Sequence, residues 1–242
     1  MQQHSPLCRI PASELARCLA GTVGAAAGRC VRLDVRGGSV TFVVCDDGRV
    51  YAAEAEVDQS VDDNEVVISA AAAFRMLDAA KRHGDEPAQL VRAGNQVSLT
   101  IGSEALAVDA CRCDERQWRT AVPCRKSQPT KVVASQFMAA VCALRSSSMP
   151  GDLLQVRFSR QFMCVVSTSG KWAALPALGT SSETVLHVDP QDFHGWLGSL
   201  DPDAVVTVDP GDGATPAVFS HDDALAVVPV ATGSCMTIEE AA

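Results

Sequence analysis

The chain has 242 residues, of which 20 are basic and 29 acidic, for a formal net charge of −9, and 47% of it is apolar. That is enough apolar material for two cores, and the acidic balance excludes coating nucleic acid over the whole exterior, although a local basic lining is compatible with it. No apolar run approaches the ~18–20 residues of a membrane span. The opening "MQQHSPLCRI" lacks a basic-then-apolar leader, and ten cysteines without regular spacing fit reduced thiols, so a cytoplasmic location is expected and no membrane partner.

Taken in chain order, a helix is predicted over 13–21, with Ser13 as N-cap and Leu15, Cys18 and Leu19 at helical spacing. The strands "VRLDVRGG", "SVTFVVCDDG" and "RVYAAEAEV" follow, punctuated by the turn signals "GG" and "DDG". A second helix is predicted from Ser69 to His83, stopped by Gly84, with Phe74 and Leu77 as its core stripe. "QLVRAGNQVSLTIGSEALAVDA" then supplies three strands turning at "AGN" and "GS". The stretch 113–130 is polar, basic and proline-punctuated, as a connector would be. A third helix is predicted over 135–146, with Phe137, Val141 and Leu144 inward. A fourth opens at "DPQDFHGWL", where Asp189 caps, Pro190 takes the first helical position and Phe193, Trp196 and Leu197 pack.

The two halves repeat. "FVVCDDGRVYAAEAEV" (42–57) lies over "CVVSTSGKWAALPAL" (164–178), and "IPASELARCLAG" (10–21) over "VVASQFMAAVCA" (132–143), both at an offset of 122. "VVISAAAAFRML" (66–77) lies over "VLHVDPQDFHGW" (185–196), and "EALAV" (104–108) over "DALAV" (223–227), both at an offset of 119. Four blocks in one order argue for a duplicated domain. The division expected is 1–118, a connector over 119–130, and 131–242. The fold class is α+β, two tandem repeats each with two helices packed on antiparallel β-sheets.

These features resemble the DNA sliding clamps. The stretch from "VRLDVRGG" to "EALAV" is similar to the bacterial polymerase III beta clamp in its strand–"DGR" turn (Asp47–Arg49), its helix introduced by "ISA" and its closing hairpin, and "LAVVPV" resembles the last clamp strand. The beta clamp has three such domains per chain and this chain two, so the resemblance extends to two-domain clamps such as proliferating cell nuclear antigen, in which three chains close a ring. It implies a homotrimeric ring that encircles double-stranded DNA without reading sequence and tethers a polymerase or repair protein through a short peptide. It implies no enzyme activity and no cofactor or metal.

A clamp lining needs diffuse positive charge toward phosphates and no readers of base edges. On the helices the fold would turn inward, the candidates are Arg17, Arg75, Lys81, Arg82 and Arg145, with Arg75, Ala79 and Arg82 on one face. The fourth helix carries no Lys or Arg, a departure from the usual basic lining. An apolar partner groove is expected between the connector and the last strand, at Val122, Pro123, Val228, Pro229 and Val230. For Val228 the plainer expectation is a core residue. Competing chemistry is thin: "CRC" (111–113) with Cys124 lacks a fourth zinc ligand, and Ser220, His221 and Asp222 are a turn, since triad members meet through the fold. The other reading is a clamp-fold protein that binds or regulates proteins without encircling DNA.

Overall fold

The computed structural model describes residues 4–25, 29–46, 49–58, 63–111, 118–123, 129–145, 152–159, 161–179, 182–211, 215–228 and 230–231. The first half runs β1 (His4–Pro11), α1 (Ala12–Val23), β2 (Cys30–Arg36), β3 (Ser39–Asp46), β4 (Arg49–Glu56), β5 (Asn64–Ser69), α2 (Ala70–Lys81), β6 (Pro87–Ala93), β7 (Gln96–Ile101) and β8 (Glu104–Asp109). A short helix α3 (Trp118–Ala121) lies in the connector. The second half runs β9 (Thr130–Val133), α4 (Ala134–Arg145), β10 (Leu154–Phe158), β11 (Phe162–Val166), β12 (Trp172–Pro176), β13 (Ser182–Val188), α5 (Pro190–Leu197), β14 (Val205–Asp209), β15 (Ala217–His221) and β16 (Ala224–Val228), with β17 (Val230–Ala231) after it.

The strand orders of the two halves are the same. In the first they are β1-β6-β7-β8 and β5-β2-β3-β4; in the second, β9-β14-β15-β16 and β13-β10-β11-β12, with β17 added beside β13. Every pairing is antiparallel. β4 and β16 join edge to edge, with Ala53 opposite Ala224 and Ala52 opposite Leu225, so two four-stranded sheets fuse into one of eight. β8 and β12 remain sheet edges.

Local chemistry explains the helix limits. Ser69 caps α2 by accepting from the Ala72 N–H, and Asp189 caps α5 by accepting from Gln191 and Asp192. α1 departs from expectation: it starts at Ala12 behind Pro11 with no side-chain cap, and the Ser13 hydroxyl donates to Asp85 instead. α2 also departs. Phe74 is 49% exposed, and the buried stripe is Ala72, Ala73, Met76, Leu77, Ala79 and Ala80, so Ala79 does not share a face with Arg75 and Arg82.

The repeat holds at the level of elements but slips in register. Between α2 and α5 the caps and packed residues coincide at a spacing of 120, which sets Met76 with Trp196 and Leu77 with Leu197, and exposed Phe74 with half-buried His194 rather than with Phe193. The hairpin turn 102–103 lies over 222–223, since Ile101 pairs with Glu104 and His221 with Ala224. "EALAV" and "DALAV" are therefore one residue out of phase. Leu106 and Val108 pack on the first core, whereas Leu225 and Val227 point to the opposite face of their sheet, where Val43, Val50 and Ala52 lie. A one-residue shift exchanges the two faces of a strand. β2 and β3 shift likewise: Leu33 pairs with Phe42 as Val156 pairs with Val165, a spacing of 123.

Each half has its own core. The second centres on Phe137, Phe193, Trp196 and Phe219, with Phe193 and Phe219 edge to face at 4.7 Å, and Tyr51 of the first half joins it. Where α1 meets α5, Gly24 and Gly195 approach so closely that a Cβ on Gly195 would lie 2.7 Å from the Gly24 Cα. Arg49 of the first half lies 3.6 Å from the buried Asp192 carboxylate and 3.9 Å from Asp189. Burial, and Asp189 next to it, raise the Asp192 carboxyl above its ordinary range, while Arg29 and Arg49 pull it back.

Candidate nucleic-acid interface and partner surface

α1 packs between α2 and α5, and α5 in turn against α4, so the four longer helices form one layer ordered α2-α1-α5-α4. The outward side of that layer is the candidate interface. On α2 it carries Ala71, Phe74, Arg75, Asp78 and Lys81, with Arg82 at the C-cap. On α4 it carries Ser135, Gln136, Ala139, Cys142, Ala143 and Arg145. α5 contributes no cation except the half-buried His194. Five basic residues against Glu14 and Asp78 make this face basic within an acidic chain.

The five candidate cations differ in freedom. Arg75, Lys81 and Arg145 are exposed. Arg17 is half-buried: it donates to Glu14 and to the Glu54 carbonyl, and lies 4.0 Å from Asp223 across the junction of the halves. Arg82 is exposed but donates to Glu104 at 2.5 Å, and His83 bonds the other oxygen of that carboxylate at 2.8 Å. Those two bonds hold the Glu104 carboxyl below the usual carboxylate range, His83 contributing most. A carboxyl so lowered contributes stability above its unfolded pKa and loses it as pH falls through the folded value. Amide exchange in β8 should therefore speed up on acidification below about pH 4, and Glu104→Gln should remove that acid step.

The connector is tied down on the other side of the fused sheet. Asp34, side chain 2% exposed, accepts from Arg119 at 2.6 Å, from Arg36 at 2.8 Å and from the Trp118 indole N–H at 3.1 Å. The Arg119 guanidinium stacks 4.7 Å over the Trp118 ring. Trp118 and Val122 cover a small apolar cluster of Val43, Val50, Ala52 and Val227 that spans the β4–β16 seam. Arg32, Arg36, Glu65 and the same Asp34 line a cleft of about 160 Å³ beside it. Nothing in the sequence singled out Asp34; the only signal was that Arg32, Asp34 and Arg36 fall on one side of a strand.

Of the groove candidates, Val122 and Pro123 are half-buried. Val228 is fully buried in the second core, so its side chain faces no groove. Pro229 lies outside the described residues, as does the side chain of Val230. Cys113 and Cys124 of the weighed thiol cluster also lie outside them. No helix among the described residues is long and apolar enough to cross a membrane.

No protein-family model matches the chain, and no curated protein matches it by sequence. Solved structures do match. A protein described as a DNA polymerase III beta subunit from Eubacterium rectale superposes with a TM-score of 0.80 at 10% identity, over 92% of this chain and 64% of that one. A sliding clamp, DNA polymerase III subunit beta, from Pseudomonas aeruginosa gives 0.79 at 14% identity, over 93% and 65%. The beta subunit from Thermotoga maritima gives 0.75 at 11%, over 93% and 65%. The chain thus spans under two thirds of the length of the clamps it matches. Its repeated strand order, its single helix layer and these superpositions together give it the α+β fold of the DNA polymerase III beta subunit sliding clamps.

Proposed function

We propose that this chain is a sliding clamp or clamp paralogue: a head-to-tail homotrimer of six repeats that encircles double-stranded DNA and tethers a polymerase or repair protein. The division into repeats 1–118 and 131–242 around a connector belongs to the same reading. The observation that carries it is the pair of unpaired edges, β8 and β12, which are the repeat counterparts of the joined strands β16 and β4. Unsatisfied edges call for a partner, and a head-to-tail contact that closes makes a ring. Outward-facing Trp172, 53% exposed, and exposed Ala105 and Ala107 give those edges an apolar seam like the one already closed within the chain.

The helix layer would then line the hole, with Arg75, Lys81 and Arg145 facing phosphates. Binding should be independent of sequence and weaken steeply with salt. Changing Arg75 and Arg145 together to Glu should reduce retention on nicked circular DNA and lower the salt slope by about 2. The thermal midpoint should stay nearly unchanged, because exposed charges contribute only about 0–1 kcal/mol. Unaltered retention by a normally folded double variant would sink the lining assignment. The exposed Phe74 and the neutral outward side of α5 favour, in that event, the second reading of a clamp-fold protein that binds other proteins.

A further inference from the structure

The two seams are not equally finished. Over the β4–β16 seam the chain lays its own connector, which leaves the first half beside β5, where Ala110 bridges Ile68, and crosses to place Trp118 and Val122 on Val43, Val50 and Ala52. In the second half the segment leaving β16 takes the same first step: β17 runs beside β13, with Val230 opposite Leu186. What would lie beneath its continuation is bare. The counterparts of Val43 and Ala52 are half-buried Val166 and exposed Trp172, and Phe162 and Leu178 lie nearby on the same sheet, 36% and 76% exposed.

We infer that residues 232–242 are the missing cover: in the assembled ring they cross the outer face of β10–β12 and latch the seam between one copy's β12 and the next copy's β8. This rests on the ring proposed above. Two features of the sequence fit the assignment. Counting from the bridge at Ala110 and from its counterpart at Val228 places Met236 where Trp118 stands, an apolar residue for an apolar one. The charges are exchanged as a pair. Asp34, which holds Arg119, has Arg157 as its counterpart on β10, and the tail brings Glu239 and Glu240 close behind Met236. An anion on the sheet holding a cation from the crossing segment becomes a cation on the sheet facing two anions.

The test compares the full chain with one ending at Ala231, and with Arg157→Glu in the full chain. Trp196 is buried and Trp118 half-buried, so emission open to acrylamide reports mainly Trp172. Ending the chain at Ala231 should raise that quenching about two-fold and raise the concentration at which light scattering shows dissociation at least ten-fold. Arg157→Glu should do the same in part, and adding Glu239→Arg and Glu240→Arg should restore assembly. Equal quenching and equal dissociation in the shortened chain would overturn the latch while leaving the ring. A full chain that stays monomeric throughout would overturn the ring itself, and the latch with it.

Discussion

Placing cysteines at Ala105 and Trp172, in a background with the exposed Cys45 and Cys142 changed to serine, will cross-link the chain into a covalent trimer under mild oxidation. The register comes from the seam within the chain. There Leu225 faces Ala52. The hairpin spacing makes Ala105 the counterpart of Leu225, and the pairing of Ala53 with Phe42 and of Ala173 with Val165 makes Trp172 the counterpart of Ala52. Residues opposite each other in an antiparallel pair have Cα atoms about 4.5–5.5 Å apart, within the range a disulfide spans. Cysteines at Ala105 and Ala174, two residues off register, should cross-link at least ten-fold less. A denaturing gel reads the result. A monomer band from the Ala105 and Trp172 pair, with the protein folded, would refute this seam.

The second large effect is on stability. Phe193 is fully buried and touches Tyr51, Phe137, Trp196 and Phe219 within one aromatic cluster. It packs residues from both halves and from both sheets of the second. Phe193→Ala should cost about 3–5 kcal/mol, the transfer of the ring plus the cavity it leaves. For a chain of this size each kcal/mol shifts the melting midpoint by about 2–4 °C, so a fall on the order of 10 °C is expected by calorimetry. Phe74→Ala, at the position that a sequence alignment sets over Phe193, should change it by less than about 1 kcal/mol. A comparable loss from both substitutions would contradict the one-residue shift between α2 and α5.

That contrast shows what sequence could and could not convey. Asp189 followed by Pro190, and Ser69 before an alanine-rich run, announce helix starts because capping is local chemistry. Element order was legible for the same reason: strands and turns carry their own signals. Register was not. Strands written in Ala, Leu and Val match one another at several offsets, and only pairing partners decide which face a residue takes. Among the candidate lining residues, the exposure of Arg75, Lys81 and Arg145 follows from helical period. The restraint of Arg17 and Arg82 does not, since Glu54, Asp223 and Glu104 reach them through the fold. Asp34 reads as a surface acid until Trp118 and Arg119, more than eighty residues on, close over it.

The close approach of Gly24 and Gly195 bears on how a ring of these chains would yield under load. Within a chain, the joint between halves combines strand pairing, that helix contact and the ion pairs of Arg49 with Asp189 and Asp192. At the joint between chains, the counterparts of Asp189, Asp192 and Gly195 on α2 are Ser69, Ala72 and Arg75. No carboxylate remains there to attract a cation, and an arginine stands where the helices would have to meet. The proposed ring therefore has three stiff joints alternating with three compliant ones, and a force that strains it open parts it between copies, leaving each chain's own hinge shut.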